Sequence, residues 1–358
     1  MKKKDWLKIL IFALIIAALT VGASFFLRVP EARDTVGMYG FYLEEENSID
    51  VILIGPSPVY TDFYSPLAYE QEGFTSYALA TGRLTGKMYL SAVREALAYQ
   101  KPKLFVFDLS AFSDIQTDNL ALRRWIESIQ NKENREQSIQ ELVSEEEMQS
   151  YRIPFLKFHS NWPNMKWCWE AMTDKADQRK RGYSITKNFT YYTGIDEKEY
   201  ETTVDDFDED GMKALEDLLA FLKERNIENA LFIRFPFKGE VVNGDHYQEG
   251  IDKILYAGFD VLDYWGNTKN VHKMDLHLEP QDYHDQEHLT VFGTEKVTKH
   301  LAAFIAQEYG ISGGHTGSVK EKWDEAASYN RQILGQAEMI VYEFSNEGVY
   351  TQKGFLNQ

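Results

Sequence analysis

Five short, mostly apolar segments constrain the fold of this chain more than any other feature. Four are SIDVILIG (48–55), PKLFVFDLS (102–110), ENALFIRFPF (228–237) and GFDVLDYW (258–265), and FTSYALA (74–80) is a fifth candidate strand. Strands without polar alternation suit a sheet that is covered on both faces. Helical patterns separate these segments, at 86–100, 210–226 and 247–258. This order predicts an α/β fold that is doubly wound around a parallel sheet.

The N-terminus carries a long apolar run behind a group of lysines. The run extends from Ile9 to Leu27 in MKKKDWLKILIFALIIAALTVGASFFLRVP, which is long enough to cross a bilayer as a helix. Lysines precede the run and only Arg28 follows it closely, so the positive-inside rule predicts a cytoplasmic N-terminus and an extracytoplasmic body. A signal peptide cleaved near Ala23 is the alternative. Because the apolar run continues to Leu27, we favour an uncleaved, single-pass anchor in the cell membrane.

These patterns divide the chain into four expected regions. They are a cytoplasmic tip and transmembrane anchor (1–28), a polar stalk (29–47), the main α/β domain (48–310), and a C-terminal helix and tail (311–358). Within the main domain, the polar helical and aromatic-rich stretch at about 112–200 interrupts the strand and helix rhythm. We interpret it as an insertion over the strand ends and not as a second domain.

Composition excludes several classes of function. The 358 residues are 44% hydrophobic, which is enough to bury a large core. Asp and Glu number 56 against 38 Lys and Arg, and the net charge of −18 argues against nucleic acid as a partner. The single Cys168 excludes an intramolecular disulfide and a thiolate zinc site. The sequence predicts no metal and no cofactor.

Ser57 lies where the first strand of the domain ends in a Gly-Pro-Ser turn. A nucleophilic serine needs a base within hydrogen-bond reach and a third group that orients the base. Asp285 and His288, in DYHDQEHLTVFG near the C-terminus, have the spacing for a carboxylate that folds back onto the imidazole. His284 and Asp282 are the neighbouring alternatives. Without this pair, Ser57 would be an ordinary turn residue.

GPS (55–57) and DQEHLTVFG (285–293) together resemble motifs of the SGNH, or GDSL-type, hydrolase superfamily. The second is similar to the D-x-x-H-L-N-x-x-G motif of that family, and the resemblance covers residues 48 to 308 in element order. The segments YQKPKLFVFDLSAF, FHSNW and KEKWDEAASYN are similar to the membrane-tethered branch of D-alanyl-lipoteichoic-acid biosynthesis and alginate O-acetylation proteins. The resemblance implies an SGNH-like, three-layer α/β/α domain with a parallel sheet.

The resemblance also implies a chemistry and a set of roles. Ser57 becomes the nucleophile, His288 the general base and acid, and Asp285 its orienting group, with the backbone N–H groups of Ser57 and Gly82 as the oxyanion hole. The reaction is then serine-dependent O-acyl transfer or ester hydrolysis on a cell-surface polysaccharide or teichoic-acid-like polymer. The implied partners are that glycopolymer, an acylated lipid or carrier, and a membrane-bound O-acyltransferase.

The sequence departs from the family at three positions. Pro56 stands between Gly55 and Ser57, where the family has Asp or Ser, and proline supplies no backbone donor. DLSAF follows the strand that should end in Gly-x-Asn-Asp, so the asparagine of the oxyanion hole is absent, and Thr290 replaces another asparagine. The alternative function is therefore a catalytically idle scaffold on the same fold, which binds polymer or assists an acyltransferase.

Four further residues are candidates for substrate binding. Arg83 follows Gly82, and Arg234 ends a strand at the sheet edge where ligands bind in open α/β folds. His159 and Trp162, in FHSNW, are candidates for lining a substrate groove. For each, a packing or surface role is the simpler interpretation.

DFDEDGMKALED (206–217) resembles an EF-hand calcium loop, with Asp208 and Gly211 in the required positions. Lys213 stands where such loops have an apolar residue. The same acids also suit the start of a helix, because carboxylates are favourable at a helix N-terminus. We favour the helix start and keep a calcium-dependent surface adhesion protein as a competing class.

Overall fold

The computed structural model describes most of the chain. The described residues are 3–33, 36–113, 119–173, 178–184, 190–192, 203–238, 241–264, 271–273, 276–338, 342–344 and 350–352.

Fourteen helices and eleven strands are assigned within these residues. The helices are α1 (Lys3–Arg33), α2 (Val36–Phe41), α3 (Ser57–Thr61), α4 (Ser65–Glu72), α5 (Tyr89–Tyr99), α6 (Asn119–Ser128), α7 (Lys132–Leu142), α8 (Met148–Arg152), α9 (Phe155–Phe158), α10 (Met165–Thr173), α11 (Glu209–Glu224), α12 (Asp245–Tyr256), α13 (Val291–Tyr309) and α14 (Gly317–Glu338). The strands are β1 (Val51–Gly55), β2 (Ser76–Ala80), β3 (Leu104–Asp108), β4 (Thr190–Tyr192), β5 (Thr203–Asp205), β6 (Ala230–Arg234), β7 (Val241–Asn243), β8 (Asp260–Asp263), β9 (His272–Lys273), β10 (Tyr342–Phe344) and β11 (Tyr350–Gln352).

Six strands form one parallel sheet in the order β2-β1-β3-β6-β8-β9. Ile54 of β1 lies opposite Leu79 of β2 and Phe107 of β3, so β1 is a central strand. The five predicted strands are confirmed as β1, β2, β3, β6 and β8. Parallel strands present their carboxyl ends at one edge, so the turns after β1, β2, β3, β6 and β8 converge there.

Residues of each strand alternate between two apolar cores, one on each face of the sheet. Ile52 and Ile54 pack into a core with α5, α11 and α12. Val51 and Leu53 point to the opposite face and pack with α3, α4 and α13. The predicted α/β architecture, with helices on both faces of a parallel sheet, is confirmed.

Helix α1 precedes the sheet domain. Its Lys3–Arg28 stretch contains an 18-residue window with a mean hydropathy of 2.6 and is long and apolar enough to cross a membrane. Most of its apolar side chains are exposed, from Leu7 to Phe25. A helix with this much exposed apolar surface differs from the core helix of a soluble domain.

The predicted stalk at 29–47 is wrong in its second half. Helix α2 places Met38 and Phe41 in the main core, where both are fully buried. Glu44 then forms a buried ion pair with Arg181, at 2.5 Å. A spacer between anchor and domain is therefore absent from 36–47, which belongs to the packed domain.

The predicted insertion at about 112–200 also contributes to the main core. Trp125 and Ile126 of α6 and Ile139 of α7 pack in the core that contains α5. Tyr151 of α8 is buried in the same core, whereas the aromatic stretch that follows, α9 and α10, contacts α1. At the C-terminus, the predicted helix is confirmed as α14, and Trp323 and Ala326 are buried on its inner side.

Candidate active site

The turn after β1 is built for close packing. A side-chain carbon at Gly55 would lie 2.5 Å from Cγ2 of Val59 and 2.8 Å from Cβ of Asp108, which only glycine avoids. Pro56 caps α3 with a φ of −73°, close to the value that its ring imposes. Ser57 is thereby fixed as the first residue of α3, at the carboxyl edge of the sheet. The N–H of a first helical residue has no partner within its own helix.

His288 links the two ends of the domain at this turn. Its Nε2 lies 2.8 Å from Oγ of Ser57, and its Nδ1 lies 2.9 Å from both carboxylate oxygens of Asp285. The imidazole is mostly buried, whereas the Asp285 side chain is 38% exposed. The structure thus brings together the three residues that the sequence paired, in the order hydroxyl, imidazole, carboxylate.

The Asp285 carboxylate is held ionised. Burial alone would raise its pKa, but the hydrogen bond and charge of His288 and the backbone N–H of Glu287 outweigh burial and lower the pKa to about 2. Oδ1 also accepts the backbone N–H of His288, at 2.8 Å. An ionised acceptor keeps the proton of a neutral imidazole on Nδ1 and leaves Nε2 to accept one from the serine.

A second carboxylate, Asp62, ties the serine turn to the histidine loop. It is fully buried, and its Oδ1 accepts the backbone N–H of Leu289 at 3.0 Å and the hydroxyl of Thr61 at 2.8 Å. Burial raises the pKa of Asp62 to about 7, although the nearby His288 opposes the shift. Sequence reasoning missed Asp62, because a single acid five residues after the serine matches no motif.

Threonine hydroxyls extend this connection. Thr294 donates to the carbonyl of Thr61 at 3.1 Å, and the backbone N–H of Tyr64 donates to Thr298 at 2.9 Å. We call the contacts of Thr61, Asp62 and Tyr64 with 289–298 the clasp. It fixes the position of α13 relative to α3, and therefore the position of His288 relative to Ser57.

Asp282, the alternative orienting acid, has other partners. Its Oδ2 accepts Nζ of Lys296 at 2.7 Å and the backbone N–H of Glu279 at 2.7 Å. His284 lies farther from Asp285, at 4.0 Å. The geometry therefore selects Asp285 and His288 from the four candidates in this loop.

Gly82 follows β2 at the same edge of the sheet. A side-chain carbon there would meet the Tyr60 hydroxyl at 3.5 Å and Nη1 of Arg124 at 4.0 Å. Arg83, the next residue, is exposed and has a left-handed backbone, with φ of 60°, which is uncommon for a residue other than glycine. Tyr60 and Arg124 were not predicted. The oxyanion role of Gly82 and the substrate role of Arg83 stay predictions.

Arg234 lies at the end of β6 but is buried. Its guanidinium forms an ion pair with Asp205 and donates to Oδ1 of Asn243 at 2.7 Å. The side chain is 6% exposed, so these two residues, at the ends of β5 and β7, occupy the face that a substrate anion would need. The structure gives Arg234 a packing role, and its contact with substrate stays a prediction.

Asp108 occupies the end of β3, where the family would have Gly-x-Asn-Asp. Its Oδ1 accepts the backbone N–H of Ser110 at 2.9 Å. Burial raises the pKa of Asp108 to about 7, partly opposed by the hydrogen bonds from Ser110. A buried carboxyl group therefore lies at the end of β3, close to Gly55 of the serine turn.

His159 and Trp162 lie in the aromatic stretch beside α1. His159 is exposed, and its Nδ1 is within 3.0 Å of the Leu156 carbonyl. Trp162 is 62% exposed. The contacts of this stretch are with the end of α1, and the substrate roles of both residues stay predictions.

The acidic run at 206–217 begins a helix. Asp208 caps α11 through a hydrogen bond from the backbone N–H of Gly211, at 2.6 Å, and Lys213 pairs with Asp217 at 2.7 Å. Within the part of the chain that the structure describes, no three His, Cys, Asp or Glu side chains are grouped to hold a metal ion. The helix start accounts for the run.

Comparison with known proteins gives no relative from which a role could be transferred. No family model matches the sequence, and no curated protein matches it significantly.

Proposed function

We propose that this protein is a membrane-anchored enzyme with an SGNH-like domain outside the cytoplasm. It carries out serine-dependent O-acyl transfer or ester hydrolysis on a cell-surface polysaccharide or teichoic-acid-like polymer. One observation carries the proposal: the relay in which Ser57 Oγ, His288 Nε2 and Nδ1, and the Asp285 carboxylate follow one another at 2.8 and 2.9 Å. Hydrogen bonds in this order, from hydroxyl to imidazole to carboxylate, are what an activated serine requires.

In the first half-reaction, the Ser57 oxygen attacks the carbonyl carbon of an ester. His288 Nε2 takes the hydroxyl proton as the new C–O bond forms, and the ionised Asp285 stabilises the imidazolium. The tetrahedral intermediate then collapses. The ester C–O bond breaks, His288 returns the proton to the leaving alcohol, and the acyl group stays on Ser57.

In the second half-reaction, a hydroxyl compound attacks the acyl-serine. His288 removes the proton of that hydroxyl and returns a proton to Ser57 Oγ as the bond between Oγ and the acyl carbon breaks. The acyl group is thereby transferred to the incoming oxygen. Water as the acceptor gives hydrolysis, and a sugar hydroxyl gives transfer.

The developing oxyanion needs donors that are already in place. The N–H of Ser57 and the N–H of Gly82 are the two backbone candidates, and losing one such donor typically costs about 3 kcal/mol of transition-state stabilisation. Arg124, 4.0 Å from the side-chain position of Gly82, adds a positive charge at that side of the site. This charge supports binding of an anionic group on the polymer or on the acyl carrier.

Covalent labelling tests the proposal. The full chain in detergent should react with a fluorophosphonate probe, and Ser57→Ala and His288→Ala should abolish the reaction. His284→Ala and Ser110→Ala are matched controls, because each removes a histidine or serine next to the site but outside the relay. Both should label at the wild-type rate. A folded wild-type chain that does not react with the probe would refute the proposal that this protein is a serine-dependent enzyme.

The non-catalytic scaffold is favoured by two departures from the family motifs. Pro56 has no backbone N–H, and DLSAF (108–112) supplies no asparagine for the oxyanion hole. It predicts binding of the polymer without covalent labelling. The labelling experiment therefore separates the two functions, and retained polymer binding in Ser57→Ala would add support to the scaffold only if wild type fails to label.

The location follows from α1. Lysines precede its apolar stretch and Arg28 follows, so we propose a cytoplasmic N-terminus and an extracytoplasmic domain. A C-terminal alkaline phosphatase fusion should be active, since that reporter functions only outside the cytoplasm. An inactive fusion that is present at normal levels would reverse the orientation.

A further inference from the structure

The aromatic stretch of α9 and α10 (155–173) packs around the outer end of α1. Phe158 and Cys168 form a small buried core with Leu27, which Phe26 and Phe155 border. Asn161 also donates its side-chain N–H to the Leu27 carbonyl, at 2.8 Å. The stretch is thus docked on the last turns of the apolar helix.

The opposite side of this stretch exposes large apolar side chains. Trp162 and Trp169 are 62% and 59% exposed. Met165, Trp169 and Met172 follow at helical spacing on one face of α10. We define the aromatic patch as the exposed residues Ile153, Leu156, Trp162, Met165, Trp167, Trp169 and Met172. Single exposed apolar residues are ordinary on a protein surface, but seven large ones within 20 residues are not.

The length of α1 indicates how deep in the membrane the patch would lie. The apolar run from Ile9 to Leu27 is about 28 Å long at 1.5 Å per residue, close to the roughly 30 Å hydrocarbon core of a bilayer. Leu27 then lies at the outer boundary of that core. Side chains docked on Leu27 lie at the headgroup level, where tryptophan is enriched in membrane proteins.

Charge supports the same placement. Between residues 152 and 172 the basic residues are Arg152, Lys157 and Lys166, and Glu170 is the one acidic residue. Lys157 and Lys166 are exposed. Arg152 is paired with Glu136, and Lys166 lies 3.7 Å from Glu170 in an exposed pair. The local excess of positive charge is therefore carried mainly by Lys157, in a chain of net charge −18, and it suits a surface of anionic lipid.

We propose that the aromatic patch lies in the outer membrane–water interface and forms a second contact with the lipid, beside the α1 anchor. The proposal rests on insertion of α1 and not on the chemistry at Ser57. The occupant is lipid because the stretch that carries the patch packs on the end of α1, whose apolar side chains are themselves exposed. It also gives Trp162 a role in lipid contact in place of a substrate groove.

Fluorescence quenching by brominated lipid tests the proposal. The full chain carrying Trp6→Phe, which removes the tryptophan at the cytoplasmic end of α1, is reconstituted in phosphatidylcholine and phosphatidylglycerol vesicles. Six of the seven tryptophans remain, three of them in the patch. Lipid brominated near the headgroup should lower the emission by up to about half and should quench more than lipid brominated near the chain end.

The quenching should disappear when Trp162→Ser, Trp167→Ser and Trp169→Ser are added. Tyr256→Ser, which removes an aromatic residue that is 91% exposed on α12, is the matched control and should retain it. Resistance to alkaline extraction shows in each variant that α1 is inserted. Inserted protein without quenching would overturn the proposal and leave water or a protein partner on the patch. Quenching that survives the triple substitution would overturn it as well.

A milder pair covers the case in which the triple variant does not fold. Lys157→Glu with Lys166→Glu should reduce quenching in vesicles that contain phosphatidylglycerol and leave it unchanged in pure phosphatidylcholine. Equal quenching in both lipids for wild type and variant would contradict the role of anionic lipid. Fluorophosphonate labelling of the same samples reports on the proposed chemistry separately.

Discussion

The Asp62 carboxylate holds the backbone N–H of Leu289, the residue that follows the candidate base, at 3.0 Å. Asp62 and Leu289 are 227 residues apart in the chain. Asp62 makes this contact from a fully buried position directly after α3. Its role in the proposed reaction is positioning, since its hydrogen bonds are with the backbone of Leu289 and the hydroxyl of Thr61.

Two substitutions at Asp62 should differ sharply. Asp62→Asn keeps an oxygen acceptor for Leu289, whereas Asp62→Leu keeps the approximate volume and leaves the N–H without a partner, at a cost of about 1–3 kcal/mol. We expect the rate of fluorophosphonate labelling to fall at least about tenfold in Asp62→Leu, and by much less in Asp62→Asn. Melting curves identify a variant that fails to fold. Equal rates for folded Asp62→Leu and wild type would remove the positioning role.

Stability should depend on pH through Asp62 and Asp108. Burial raises the pKa of both carboxyl groups to about 7. An unfolded aspartate loses its proton near pH 4, so between pH 4 and 7 the folded chain binds more protons than the unfolded chain. The stabilisation from these protonated groups is therefore complete below pH 4 and lost as the pH rises to 7.

Urea denaturation of the full chain in detergent at pH 5 and pH 8 measures this effect. Asp62→Asn and Asp108→Asn should each flatten the decline, by as much as about 3 kcal/mol between these two pH values. Asp285 acts in the opposite direction, because its pKa is lowered to about 2 and its contribution is lost only in acid. An unchanged pH profile in both asparagine variants would show that the carboxyl groups titrate normally.

Gly55→Ala should be destabilising although it adds one carbon. The added Cβ would lie 2.5 Å from Val59 and 2.8 Å from Asp108, in a buried turn with no room to relax. We expect a loss of about 1–3 kcal/mol and slower labelling of Ser57. The matched control is Gly335→Ala on α14, where the added carbon meets nothing within 4 Å and helix propensity favours alanine. Equal stability of the two variants would contradict the close packing.

The Glu44 to Arg181 ion pair should connect the segment after α2 to α14. Both side chains are about 4% exposed or less, and Arg181 also donates to the Lys322 carbonyl at 3.0 Å. Glu44→Ala leaves a buried guanidinium unpaired, which typically costs about 3–5 kcal/mol. The double variant Glu44→Leu with Arg181→Leu should recover part of that loss in a denaturation cycle. Additive losses would show that the pair is not coupled.

The sheet and the relay were predictable for a physical reason. Strands covered on both faces must be apolar along their length, and Ser57, Asp285 and His288 have recognisable spacing within their own loops. A parallel sheet then brings the loops to one edge. The apolar length of α1 was equally visible, since length and hydropathy are local properties.

What sequence reasoning missed depends on tertiary contacts. Met38 and Phe41 lie in a short segment with few other apolar residues. Their burial depends on packing against the core, which the local sequence does not show. Asp62 and Arg124 lie near the site through neighbours that are distant in sequence. Arg234 was a plausible substrate-binding residue because it ends a strand at the carboxyl edge of the sheet. It is buried because Asp205 and Asn243, at the ends of β5 and β7, bind its guanidinium.

The clasp and the hydrogen bond between Ser57 and His288 join segments that are far apart in the chain, which has a consequence for the order of folding. Ser57 and His288 are 231 residues apart, so their hydrogen bond closes one of the longest loops in the chain. Contacts at such separation form late, because the entropy of loop closure must first be offset by the elements between them. A nascent or truncated chain would hold Ser57 on its turn without a base. Reactivity at Ser57 should therefore appear only once the last helix of the sheet domain, α13, has docked.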